Sequence, residues 1–374
     1  MKIAVNTRLL LRNKLEGIGW FTLEIFKRLT KKQPEVDWFF LFDRPYDPEF
    51  IFEKHITALK AGPPSRHPLL WYWWFEHSVP QLLRKSGADV FISPDGYLPI
   101  NAPCKTLPVI HDLNFEHQPQ NLDWLPRLYM RHFFPRFARK ATRIATVSNY
   151  SRRDIAKTYQ VPERKIDLVY NGIGDFFHPL NLEEQMRERE RWTRGKPYFV
   201  FIGALNPRKN LAGMLRAFAE YRQSGGENNF VVVGEKMYWT AEQENIIKEH
   251  PFREDIIFAG RQEGETLNRI LASAKALMFV SHFEGFGIPI LEAFKCGVPV
   301  ITATNSSMPE VAGDAALLCD SNNTSQIADA MRKVDNPELW CRLKTKGQER
   351  VREFSWERSA SMMWESIQKT LASE

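Results

Sequence analysis

The sequence predicts two successive doubly wound α/β domains, and three observations predict them. Short apolar, β-prone runs alternate with amphipathic helical stretches along the whole chain. The runs are continuously hydrophobic rather than alternating, which implies strands covered on both faces, as in parallel sheets. A charged stretch from 176 to 197, carrying Pro179, Gly195 and Pro197, breaks the pattern near its middle and reads as a linker. At 374 residues the chain also exceeds one comfortable core.

In the first half the strand-like runs are Ile3–Val5, Trp38–Phe42, Asp89–Ile92, Thr106–Ile110, Ile144–Val147 and Ile166–Val169. In the second half they are Tyr198–Ile202, Phe230–Val233, Ile256–Phe258, Ala276–Val280, Val298–Ile301 and Ala316–Cys319. Helices fill the gaps. Leu211, Met214, Leu215 and Phe218 recur at i, i+3, i+4 and i+7 behind Asn210, which suits an N-cap. The predicted domains are 1–175 and 198–354, with 176–197 between them.

Composition sets outer bounds. Apolar residues make up 43% of the chain, which is ordinary for a globular protein. Lys and Arg exceed Asp and Glu by 51 − 45 = 6, an excess that suits an anionic ligand, an anionic membrane surface or nucleic acid without choosing among them. Cys104, Cys296, Cys319 and Cys341 are widely spaced, so buried free thiols in a reducing compartment are expected, with neither disulfide framework nor metal site. No apolar run reaches membrane-spanning length, and the N-terminal run is too short for a signal peptide. A cytoplasmic protein is expected, at most peripherally attached to a membrane.

Open parallel sheets bind ligands beyond the carboxyl ends of their strands, so the loops after the runs carry the functional candidates. After Tyr198–Ile202 comes Gly203-Ala204-Leu205-Asn206-Pro207-Arg208-Lys209-Asn210, leading into a helix. Gly203 permits close backbone approach, and a helix start supplies unpaired N–H groups and positive potential. Arg208 and Lys209 add two cations there. A solvated basic turn is the ordinary reading of such a pair; the position directly after a parallel strand favours an anion site.

The loop after Ala276–Val280 says more. Gly285 and Gly287 let backbone amides face a ligand, Pro289 suits a first helical turn, and Gly297 suits its C-terminal stop. Glu284 precedes this short helix and Glu292 lies inside it. Carboxylates beside a phosphate site are unfavourable unless they accept hydrogen bonds from hydroxyls, which sugars and riboses offer. Taken singly, Glu292 also reads as a first-turn partner of the helix dipole and Glu284 as a loop charge, which explains the pair beside two glycines poorly.

In the first half, Gly17-Ile18-Gly19 stands before a helix expected over Phe21–Leu29, and lacks the third glycine of a dinucleotide fingerprint. His111-Asp112 follows Thr106–Ile110; a histidine at a strand end could hydrogen-bond a sugar or steady developing charge, although most histidines are structural. Ser148 or Ser151 would cap the helix after Ile144–Val147. Leu69-Leu70-Trp71-Tyr72-Trp73-Trp74-Phe75 is densely aromatic, and 132–140 with Arg152 and Arg153 mixes bulky apolar and basic residues. Core packing, sugar stacking and contact with a bilayer interface are the readings of the first, and a membrane-facing patch or a solvated helix face those of the second.

Phe283-Glu284-Gly285-Phe286-Gly287-Ile288-Pro289-Ile290-Leu291-Glu292-Ala293 resembles the signature of the retaining group 1 glycosyltransferases, as do Gly203…Arg208-Lys209-Asn210 and the stretch from Ser307 to Ala316. The resemblance spans nearly the whole chain. It implies a GT-B fold: two Rossmann-like domains facing across a cleft, with a C-terminal helix, 355–374, crossing back to the first. It implies a nucleotide-diphosphate-sugar donor, with Arg208 and Lys209 on the diphosphate, Glu284 on the transferred sugar beside Gly285, Phe286 and Gly287, Glu292 on the ribose, and Arg261 near the base. Gly17 and Gly19 would lie near the donor phosphates, and His111 would be catalytic with Glu284, Arg208 and Lys209. No metal and no cofactor are expected.

The resemblance further implies hexose transfer to a glycan or lipid-linked acceptor in surface-polysaccharide synthesis; GDP-mannose is the first choice, with UDP-sugars open. Where the family often has Asp after Asn171-Gly172-Ile173, this chain has Gly174 and then Asp175. A nucleotide-sugar epimerase or hydrolase on the same fold is the alternative enzyme. A nucleic-acid-binding protein is the alternative of another class, but no nucleic-acid motif is visible and no such partner is expected.

Overall fold

The computed structural model describes residues 1–12, 14–237 and 240–373, apart from the side chains of Asn121 and Glu242. The chain divides into two compact units. The first comprises Met1–Gly172 and the segment from Ser355 onward, and the second is Ile173–Phe354.

In the first unit the strands are β1 (Lys2–Asn6), β2 (Asp37–Phe42), β3 (Ile56–Lys60), β4 (Val90–Ser93), β5 (Lys105–Pro108), β6 (Ile144–Thr146) and β7 (Ile166–Leu168). Five form one sheet in the order β3-β2-β1-β4-β5, and β6 pairs with β7. All pairings are parallel, and a single bridge from Val109 to Ala145 carries the ladder on toward β6. Six of these strands coincide with the apolar runs. The seventh, β3, has no such run because it is an edge strand: Thr57 and Lys60 are exposed, and Ile56 alone is buried.

The helix Gly17–Lys32 buries Phe21, Ile25, Phe26 and Leu29. It begins four residues earlier than expected, so Gly17 and Gly19 are its first-turn residues and not a loop before it. A terminal helix, Trp356–Ala372, belongs to this unit and packs on the first: Phe21 and Trp356 meet edge-on at 6.4 Å, and Arg28 Nε donates to Glu357 at 2.7 Å. Residue 374, the last of the expected helix, lies outside the described residues. At Gly172 a Cβ would fall 2.3 Å from the backbone nitrogen of Trp356, so the outgoing and returning chains touch where only glycine fits.

In the second unit the strands are β8 (Tyr198–Ile202), β9 (Asn229–Val233), β10 (Ile256–Gly260), β11 (Ala276–Phe279), β12 (Val300–Ala303) and β13 (Ala316–Cys319). All are parallel, in the order β10-β9-β8-β11-β12-β13. The order reverses between β8 and β11, which opens a ligand crevice at their carboxyl ends in sheets of this type.

The stretch 176–197 is not a linker. It belongs to the second unit and contains the helix Leu182–Thr193, opened by a capping box between Asn181 and Glu184. Its charges are spent on packing: buried Glu188 pairs with Arg269 at 3.0 Å, and Arg189 Nε donates to the Ser273 carbonyl. The four cysteines are free thiols. Among the described residues no helix is long and apolar enough to cross a membrane.

Candidate functional site

Four sequence-predicted residues come together beyond the carboxyl ends of β8 and β11. After β8, Gly203 takes φ +152° and its N–H donates to the Val233 carbonyl at 3.0 Å. A Cβ on neighbouring Gly234 would fall 1.9 Å from the Gly203 carbonyl oxygen, so two strand-end loops touch backbone to backbone. A single turn, Pro207–Lys209, then projects Arg208 and Lys209. Asn206 caps that turn, accepting from the Lys209 N–H at 3.2 Å. Asn210 caps the helix Leu211–Gln223, as expected, and its amide donates to the carbonyls of Val280 and Ser321 at 3.0 and 2.8 Å. One buried asparagine thus ties the loops after β8, β11 and β13 together.

The loop after β11 is fixed from both sides. The His282 N–H donates to the Arg208 carbonyl at 2.9 Å. Ser307 Oγ donates to the carbonyls of Glu284 and Phe286, and the Glu284 N–H donates to Ser306 Oγ. Gly287, at φ +105°, starts the helix Ile288–Lys295 with Pro289 in its first turn. That helix stops as predicted: Gly297 is left-handed at φ +70°, and the N–H groups of Gly297 and Val298 return to Phe294 and Ala293.

The charges converge on Glu284, which is 6% exposed. Lys209 Nζ lies 2.7 Å from Oε1 and Arg208 Nη1 2.8 Å from Oε2. Arg208 Nη1 also donates to the Phe283 carbonyl at 2.7 Å, and the Lys209 ammonium stands 4.9 Å over the Phe279 ring. Burial opposes ionisation of Glu284, but the two cations outweigh it and hold the carboxyl down at about 2. Glu292 lies one turn into its helix, where burial pushes its carboxyl up to about 7 against the partial pull of Lys209. The two acids are therefore opposites: one permanently charged, one poised near neutrality, with Lys209 acting on both. With Arg208 and Lys209 charged and Glu284 ionised, the cluster carries a net positive charge.

Arg261 is not in this cluster. It follows β10, two strands from β8 at the sheet edge, and is exposed, with Glu263 and Glu235 as ion-pair partners. Gly285 and Phe286 sit in the buried loop beside Glu284. Gly203 and Gly287 occupy backbone geometries that favour glycine.

In the first unit, His111 lies three residues past β5. Its Nε2–H donates to the Pro94 carbonyl at 2.8 Å, since a carbonyl only accepts, which leaves Nδ1 as the acceptor nitrogen. Burial lowers its basicity, so the ring is neutral at pH 7, and Phe21 meets it edge-on at 5.0 Å. Phe21 stands one turn beyond Gly17, so the glycine-bearing helix start and the histidine loop belong to one neighbourhood. Ser148 caps the helix Asn149–Tyr159, and Ser151 Oγ donates to the His111 carbonyl at 3.1 Å.

The sequence gives little warning of a second cluster at this unit's carboxyl edge. Buried Arg8 donates to Asp95 at 2.5 Å and to Ser65, and its guanidinium stands 4.7 Å from the Tyr97 ring centroid. Asn6 Nδ2 donates to Ser93 and Asp95, and Asp43 accepts from Ser65 and Arg44. Only the position of these residues at strand ends hints at the network. Among the described residues no group of three or more His, Cys, Asp or Glu is placed to hold a metal ion.

The similarity to known proteins reaches both units. Residues 183–350 match the family described as glycosyl transferases group 1, and residues 15–175 the one described as glycosyltransferase family 4. The O-antigen chain mannosyltransferase B of Escherichia coli is 26% identical over 360 residues, covering 92% of this chain and 93% of that protein. Among solved structures, sucrose-phosphate synthase from Thermosynechococcus elongatus superposes with a TM-score of 0.78 at 18% identity, over 100% of both chains. HepE of Anabaena, in complex with UDP and glucose, gives 0.76 at 16%, over 98% of this chain and 99% of that one. At those identities the structural likeness is one of fold, and that fold is GT-B.

Proposed function

We propose, from the premise that this chain belongs to the group 1 glycosyltransferases, that it moves a hexose from a nucleoside-diphosphate sugar to a glycan or lipid-linked acceptor of surface-polysaccharide synthesis. Mannose is the first candidate sugar, supported by the Escherichia coli O-antigen relative. The reaction we infer retains the anomeric configuration and uses no metal.

The observation that carries this reading is the cluster of Arg208, Lys209 and Glu284 at the crossover between β8 and β11. In the inferred step the bond between the sugar C1 and the diphosphate oxygen breaks, and the departing diphosphate takes the electron pair. An acceptor hydroxyl forms the new bond to C1 on the same face, and its proton passes to the departing oxygen. The barrier is set by negative charge growing on the leaving group, which two fixed cations at a helix start oppose. Those same cations supply the charge that a metal supplies elsewhere. Glu284 is ionised at every working pH, so it is suited to accept from sugar hydroxyls as the phosphates draw Arg208 and Lys209 away. We assign Glu292 to the ribose, whose hydroxyls its carboxyl would accept from.

The test is a thermal-shift screen against GDP, UDP and their sugars, followed by product analysis with the stabilising donor. A binder raises the melting temperature by mass action. Transfer that requires acceptor and yields an anomer of the donor's configuration supports the reading. Donor turnover indifferent to acceptor, or no stabilisation by any nucleoside diphosphate, rejects it.

A further inference from the structure

Strand register in the first unit brings two buried polar pairs together. β1 and β4 run parallel, with Ile3 opposite Val90 and Val5 opposite Ile92. Continued past the strand ends, that register sets Asn6 beside Ser93 and Arg8 beside Asp95. Both pairs form: Asn6 Nδ2 donates to Ser93 Oγ at 3.1 Å, and Arg8 Nε donates to Asp95 Oδ2 at 2.5 Å. The order of this sheet reverses between β1 and β4, so the pairs stand at its switch point.

Together they grip one turn. The Gly96 N–H donates to the Ser93 carbonyl at 3.1 Å, with Pro94 and Asp95 between them. Proline second and glycine fourth suit such a turn. Asp95 Oδ1 accepts from Asn6 Nδ2 at 2.9 Å, from Ser93 Oγ at 3.0 Å and from the Tyr97 N–H at 3.4 Å. With Arg8 on Oδ2, four donors fix this carboxylate. The Val109 N–H donates to the same Ser93 carbonyl at 2.8 Å, which presses the turn against the segment leading to His111.

What the turn presents to that segment is the Pro94 carbonyl, which accepts from His111 Nε2 at 2.8 Å. Because Nε2 carries the proton, Nδ1 keeps its lone pair, and it has no hydrogen-bond partner among the described residues. Phe21 packs edge-on against the ring at 5.0 Å, and Ser151 Oγ donates to the His111 carbonyl at 3.1 Å. Ring and backbone are both fixed. Ordinary packing of polar strand ends accounts for satisfied hydrogen bonds. It does not call for a buried ion pair, whose desolvation offsets most of its attraction.

We propose that Asn6, Arg8 and Asp95 are positioning residues for His111: they lock the turn from Ser93 to Gly96, whose Pro94 carbonyl holds the ring as its Nε2–H tautomer and leaves Nδ1 to accept from a sugar hydroxyl. No bond is made or broken at these three residues. The inference rests on the transfer reaction proposed above for the use of Nδ1, while the lock itself belongs to the ligand-free chain.

The test is nitrogen NMR of the full chain carrying isotope-labelled histidine, with His111 identified by the resonances lost in His111→Gln. Wild type should show this ring as the neutral Nε2–H tautomer at pH 7. Arg8→Met/Asp95→Asn removes both charges together, so no buried ion is left unpaired. In that variant the ring should become a mixture of tautomers. Its kcat should fall about tenfold, at little changed donor KM, with whichever of GDP-mannose and UDP-glucose stabilises the chain. Asn6→Ala removes one clasp and spares the ion pair; it should move tautomer and kcat the same way, and it carries the test if the double variant does not fold. A wild-type tautomer or a wild-type kcat in the folded variant would overturn the proposal, as would a wild-type ring protonated on Nδ1. Turnover unchanged in His111→Gln would overturn it as well, and would leave the glycosyltransferase reading untouched.

Discussion

Lys209 Nζ donates to Glu284 Oε1 at 2.7 Å across 75 positions of sequence, joining the loops after β8 and β11. The carboxylate engages the same two cations that a diphosphate would need, so the two anions would compete for them. Lys209→Met and Arg208→Gln each remove half of that cationic pair. Turnover is expected to fall about a hundredfold or more in each, with weaker nucleoside-diphosphate binding. Steady-state rates near wild type in both variants would remove these residues from the reaction.

Glu284 also predicts an acid limb of stability. Its folded carboxyl sits at about 2, below the ordinary 4.5, so its stabilising effect is complete above pH about 4.5 and lost as the pH falls toward 2. The shift corresponds to about 3 kcal/mol. Denaturant melts of wild type and Glu284→Gln between pH 5 and 2 should converge, since the variant has no proton to take up there. Parallel curves would contradict the pairing.

Glu292 predicts the reverse sign. Its carboxyl is raised from the ordinary 4.5 to about 7, so the folded state binds the proton more tightly than the unfolded one. Stability is greatest below pH about 4.5 on this account and declines as the pH rises through 7. Glu292→Gln should flatten the decline between pH 5 and 8, read by thermal unfolding of the ligand-free protein. A decline of equal slope in the variant would assign it to another group.

Two glycines separate backbone requirement from ligand contact. Gly234→Ala places a methyl 1.9 Å from the Gly203 carbonyl oxygen and should cost about 2 kcal/mol or more, with a matching loss of nucleotide binding. Gly17→Ala meets nothing within 4 Å at a helical position and should leave stability unchanged or raise it by about 0.5 kcal/mol. If Gly17 does face the donor, that variant will lose activity while keeping its melting temperature.

Much of this was legible in the sequence because parallel strands announce themselves. Tyr198–Ile202 and Ala276–Phe279 are apolar on both faces, and the residues just after them are the ones the fold gathers. The edge strand Ile56–Lys60, wet on one side, left no such run. The helix Leu182–Thr193 was mistaken for a linker because its charges look solvated, whereas Glu188 and Arg189 are used against a neighbouring helix. At the site, residue types and loop positions were readable but pairing was not. Nothing local says that Glu284 will take both Arg208 and Lys209 as partners, because that depends on which strands become neighbours. Arg8 and Asp95, 87 residues apart, were invisible for the same reason.

The contact at Gly172, where a methyl would strike the nitrogen of Trp356, has a bearing on how the chain acquires its shape as it is made. Ile173–Phe354 is an uninterrupted length and has all its strands in hand once it has emerged from the ribosome. The unit begun earlier still lacks the helix that covers Phe21 and must wait, with that apolar face bare, until Trp356 and the turns after it arrive. The part synthesised first is therefore the part completed last, and in that interval its first helix is the surface most in need of a chaperone.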